Sequence, residues 1–138
     1  MDIQKIGLQE AKQQFNKQIV WIDLEIDPTS RSLLCGGLGC CIDDIYYAVI
    51  FYEQDLRDVL SILISAKWVA GHNIHAFDLP WLQQQLQHPA SLEHIRAEKC
   101  IDTLLLANLV YPHRPSQALL KLYKVQTTTN DPTYGYLL

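Results

Sequence analysis

Along the chain the spacing of apolar residues switches between the period of a strand and that of a helix, and the switches lay out the elements. Residues 7–18 carry Leu8, Ala11 and Phe15 at helical spacing and predict a short amphipathic lead-in helix. The run Ile19-Val20-Trp21-Ile22-Asp23-Leu24-Glu25-Ile26 follows, strand-like and apolar except for two carboxylates. The stretch from Asp27 to Ser32 predicts a turn, because Pro28 cannot donate to a ladder and Asp and Ser bond their own backbone. Residues 32–42 predict a second strand, in which Gly36, Gly37 and Gly39 point to a bulge or a close backbone approach. Asp43-Asp44 marks a tight turn into a third strand over 45–51, so the three strands form an antiparallel meander.

Beyond residue 53 the period lengthens. Leu56, Val59, Leu60, Leu63 and Ile64 predict an amphipathic helix over 53–65, and Lys67-Trp68-Val69-Ala70-Gly71-His72 a short fourth strand. A helix between strands implies a right-handed crossover, which sets the fourth strand parallel to the first. A second helix over 78–87 tolerates Pro80 in its first turn, keeps Leu79, Leu82 and Leu86 inward, and ends at His88-Pro89-Ala90-Ser91. Residues 100–103 form a brief fifth strand, 103–108 a helix closed by Tyr111-Pro112, and 115–125 a further helix with Leu119, Leu120 and Leu122 toward the core. The polar stretch 126–135 is rich in turn residues.

The 138 residues, 49% hydrophobic and 19% charged, are those of one ordinary globular domain with a core of its own. No apolar run nears the roughly 20 residues that cross a bilayer, and Met1-Asp2-Ile3-Gln4-Lys5 is no signal peptide, so the expected setting is cytoplasmic, with no membrane partner. Cys35, Cys40, Cys41 and Cys100 match neither a zinc ribbon nor a secreted disulfide framework and are expected to be reduced, mostly buried thiols. A net charge of −4 does not advertise a nucleic-acid binder, although a metal-dependent nuclease site can be acidic because ions meet the phosphate.

Two features carry candidate chemistry. On a strand, Asp23 and Glu25 project from one face while Ile22, Leu24 and Ile26 pack on the other. Acids buried in such a strand would be compensated by a divalent cation, whereas on an edge strand they would simply face water. The second feature is Gly71-His72-Asn73-Ile74-His75-Ala76-Phe77-Asp78, in which a strand ends at a glycine and a helix begins at an acid. Asp78 alone reads as a helix N-cap, but a fourth strand parallel to the first would bring it over Asp23 and Glu25.

In this order the residues resemble the DnaQ-like exonucleases of the DEDD superfamily, which have a ribonuclease H-like fold. The first motif of that family matches Asp23-Leu24-Glu25, the second Gly71-His72-Asn73 with Phe77-Asp78, and a third Ile101-Asp102-Thr103-Leu104-Leu105-Leu106-Ala107, where Asp102 supports the site without ligating metal. The resemblance spans about residues 19–135. It implies an α/β fold with a ribonuclease H-like mixed sheet, a three-stranded antiparallel meander plus parallel strands, flanked by helices. The implied activity is 3′→5′ hydrolysis of DNA or RNA from its end by two Mg2+ or Mn2+ ions about 4 Å apart. Asp23, Glu25 and Asp78 would be the metal ligands and catalytic acids, and Leu24, His72, Asn73 and Phe77 would contact substrate.

The family's last motif is degenerate. Its general-base histidine aligns with Asn130 and its fourth acid with Gly135, while the tyrosine form of the motif would place Leu138 at the acid. No general base is assigned, and losing one is worth about 10²- to 10⁴-fold in rate. The expectation is therefore either an impaired exonuclease or a chain whose continuation supplies the last acid. The segment from Tyr111 to Tyr123 has look-alikes in domains fused ahead of RecQ-type helicases, so a fused or associated helicase is the implied partner. The competing expectation is a non-catalytic binding or scaffolding module that holds single strands through Arg114, Lys121 and Lys124 with stacking on Trp81 or Tyr123.

Overall fold

The computed structural model of the protein describes residues 2–112; the helix expected over 115–125, the basic residues around it and the Asn130 to Gly135 stretch lie outside them. The described residues divide into two units between Ile101 and Asp102. Strands β1 (Ile3–Lys5), β2 (Ile19–Ile26), β3 (Leu33–Ile42), β4 (Ile45–Phe51), β5 (Trp68–Gly71) and β6 (Cys100–Asp102) form one sheet in the order β1-β4-β3-β2-β5-β6, all of it but the last residue of β6 in the first unit. β2, β3 and β4 pair antiparallel, while β1 runs parallel to β4 and β5 parallel to β2. This mixed sheet with its helices is the α/β arrangement expected, consistent with a ribonuclease H-like order of strands.

The meander turn is built as the sequence suggests, with one addition. Asp43 and Asp44 both take positive φ, 51° and 65°, the left-handed pair that matches the twist of a two-residue hairpin. Asp tolerates that region because its short side chain bonds locally.

Helices α1 (Leu8–Gln14), α2 (Leu56–Ser65), α3 (Leu79–Gln85) and α4 (Pro89–Glu98) complete the first unit, with α1 against α2 and β4, and α4 against α2 and α3. One sheet face supplies Val20, Ile22, Leu24, Leu38, Val49 and Phe51 to a core that also holds Ala11, Phe15, Val59 and Leu63. Alternation along β2 is strict: Val20, Ile22 and Leu24 are buried, and Trp21, Asp23 and Glu25 are exposed. Ile64, expected inward on α2, is instead 48% exposed, because the buried stripe of that helix runs through Ile62. At the end of α2 the Lys99 ammonium donates to the carbonyls of Ile64 at 2.7 Å and Ala66 at 2.8 Å, satisfying groups a helix leaves unpaired. Its burial there pulls its pKa down.

In the second unit α5 (Thr103–Val110) is opened by Asp102, whose Oδ1 accepts the Leu104 N–H at 2.9 Å. Among the described residues no helix is long and apolar enough to cross a membrane.

The four thiols are free, as expected, but only Cys40 is buried; Cys41 is exposed, and Cys35 and Cys100 are half-buried. The correction follows from the pleat: neighbours on β3 face opposite sides, so Cys40 enters the core and Cys41 cannot. Burial, with a smaller contribution from Cys41, pushes the Cys40 thiol up to about 11. An alkylating reagent at neutral pH is expected to label Cys41 in the native protein and Cys40 only after denaturation, read by peptide mass spectrometry; equal labelling rates would contradict this placement of β3.

Candidate functional site

Asp23 and Glu25 stand on β2, which lies inside the sheet between β3 and β5. The acids are therefore neither buried nor on an edge strand. They occupy the exposed face of a central strand, which dispenses with both the desolvation cost and the edge explanation. Directly across from Asp23 is Gly37, and across from Glu25 is Cys35. Nothing but a backbone carbonyl at 3.9 Å approaches the position a Gly37 side chain would occupy, so the space beside Asp23 is open. The pairing slips one residue between Glu25 and Ile26, a bulge that re-aims the end of the strand next to the acids.

β5 delivers the second motif to the same strand. Its last residue, Gly71, sits so close to β2 that a Cβ there would lie 2.6 Å from the Ile22 carbonyl oxygen and 2.3 Å from Ile74 Cγ2. Only glycine fits that approach. Asn73 then takes a left-handed conformation, φ 59°, and the chain enters a π-helical turn, Ile74–Asp78, that packs against β2 and runs straight into α3. Such wide turns recur at functional sites.

The turn decides where the second-motif residues go. Ile74 and Asp78, four apart, share its buried side, and Asp78 is only 4% exposed. Asp78 does not cap α3 as its position suggests: its backbone is already helical, its side chain makes no capping bond to that helix, and Pro80 at the second position has no N–H to offer. Phe77 is 38% exposed, and His72 and Asn73, just before the turn, are half-buried. Leu24 points into the core, opposite the acid pair, so its contribution to that face is its backbone. Trp81, a stacking candidate, is 3% exposed and cannot receive a base; its indole N–H donates instead to the Arg31 carbonyl at 3.0 Å.

That hydrogen bond fastens the β2–β3 turn to α3. Within the turn, Asp27 Oδ1 accepts the amides of Thr29 at 2.8 Å and Ser30 at 3.0 Å. The Ser30 and Thr29 amides hold the Asp27 carboxyl below the ordinary carboxylate range. Because the folded-state value is depressed, this support is present above the ordinary carboxylate pKa and is lost as pH falls through the lowered one.

Comparison with family models, characterised proteins and solved structures gives no match. Among the described residues no three of His, Cys, Asp and Glu gather closely enough to hold a metal ion. Asp23 and Glu25 thus form an acid pair, with Asp78 turned to the buried side of the neighbouring loop. This falls short of the donor set that a two-ion centre requires, and the described residues do not fit one.

Proposed function

We propose that the chain is a nucleic-acid-processing domain of the 3′→5′ exonuclease type, acting on DNA or RNA ends. The observation that supports it is the placement of Asp23 and Glu25 on the exposed face of β2, at the strand end against which the Asp78-bearing turn packs. In α/β sheets, the crevice beyond the carboxyl ends of parallel strands is where ligands bind, and β2 and β5 are such a pair. With only an acid pair assembled, no general base is assigned.

One observation favours a second reading, a non-catalytic nucleic-acid-binding or scaffolding module of a helicase-type protein: the described residues lack a three-donor metal group. End-labelled single strands of DNA and RNA, incubated with the protein and Mg2+ or Mn2+, separate the two. Mononucleotide release that drops about 10²-fold or more in Asp23→Asn supports the exonuclease, the scale on which removing one preorganised polar group from a hydrolytic site acts. Equal release by wild type and variant would reject it as contamination, and strand binding without release would support the binding module.

A further inference from the structure

We infer that Arg31 is a phosphate-binding residue for the nucleic-acid strand that reaches the acid pair. This rests on the nucleic-acid reading above and names a contact that reading does not contain. Arg31 lies in the turn that follows β2, past the strand end that carries Glu25, and its guanidinium carbon sits 5.8 Å from the centroid of the Phe77 ring. Phe77 in turn is the residue before Asp78, on the turn packed against β2.

Arg31 is unusually well fixed for an exposed arginine. Its backbone is in the left-handed region at φ 63°, its N–H donates to the Asp27 carbonyl at 2.8 Å, and its own carbonyl accepts the Trp81 indole N–H at 3.0 Å. Two segments of the chain, its own turn and α3, therefore agree on where this side chain begins, and its far end reaches the Phe77 ring. A guanidinium held near an aromatic ring by a cation–π contact spends no N–H donor on it, so the fork that matches a phosphate stays available.

The charge is also available. Among the described residues the ion pairs are Lys12 with Asp58 and Arg96 with Glu93, and no carboxylate lies within ion-pair distance of Arg31. A polyanion approaching a chain of net charge −4 meets repulsion, most of all beside two exposed carboxylates. A cation with a fixed backbone and no ion-pair partner among the described residues, in the turn that follows the acid-bearing strand, offsets the repulsion locally and orients the strand toward the acids. Holding the turn alone would require neither a free charge nor an exposed ring.

The test is fluorescence anisotropy of the full chain with labelled oligothymidine and oligouridine, without divalent ions, over a series of salt concentrations. Each phosphate neutralised on a single strand contributes about 0.7 to the slope of log affinity against log salt. Arg31→Gln is expected to weaken binding several-fold at low salt and to reduce that slope by about 0.7. Arg31→Lys, which keeps the charge, is expected to retain the slope, and thermal melts of both variants report the fold separately. If Arg31→Gln binds with wild-type affinity and slope, the assignment of Arg31 falls while the nucleic-acid reading stands. If the wild-type chain binds neither strand, the nucleic-acid reading falls and the assignment with it.

Discussion

Gly71→Ala is expected to destabilise the protein by about 3 kcal/mol, the upper part of the range for forcing extra atoms into a packed interior. The added methyl would stand 2.6 Å from the Ile22 carbonyl oxygen, a backbone atom of the central strand that cannot rotate away. Relief requires β5 to separate from β2, which strains the Val20↔Val69 and Trp21↔Ala70 pairing just upstream. The same shift displaces the π-helical turn that carries Phe77 and Asp78. Urea denaturation should show a lower midpoint at unchanged slope, and trimming the nearby side chain with Ile74→Ala should not restore it, because the carbonyl remains. A midpoint within experimental scatter of wild type would mean that β5 does not lie this close to β2.

Gly36→Ala is expected to cost about 2 kcal/mol by a different route. A Cβ at Gly36 would fall 2.2 Å, 2.4 Å and 2.8 Å from the outer ring atoms of Phe51, a fully buried side chain. This obstacle is a side chain, so a second substitution can remove it. Leucine at 51 lacks the clashing atoms, and the double variant Gly36→Ala, Phe51→Leu should be more stable than the sum of the two single changes predicts, by roughly 0.5–3 kcal/mol. Strict additivity in the cycle would show that the glycine and the ring are not in contact. The pair of experiments thus separates a glycine whose neighbour is backbone from one whose neighbour is a replaceable ring.

The elements legible in the sequence are those with one buried and one exposed side. β2, β3 and β4 and the inward residues of α2 follow from local periodicity, since a strand or helix that lines a core must repeat its apolar positions at a fixed interval. β1 leaves no such trace: Ile3, Gln4 and Lys5 are all exposed, and the strand exists because it pairs with Tyr46, Tyr47 and Ala48. α4 was hidden by Pro89, which reads as the end of one helix and is in fact the first residue of the next, where its missing N–H costs nothing. Trp81 illustrates the same limit in the site, because its partner, the Arg31 carbonyl, is 50 residues away and no local pattern encodes the bond.

Sequence by itself therefore determined that Asp23 and Glu25 share a face, because two-residue alternation is a property of any strand whatever surrounds it. It also determined the parallel crossover that sets β5 beside β2. Tertiary structure alone decided that β2 is central and its acids exposed, that Asp78 turns to the buried side of a π-helical turn, and that Arg31 lies over Phe77. Those outcomes depend on how closely Gly71 lets one backbone approach another and on hydrogen bonds between distant segments, which become definite only when the whole sheet is assembled.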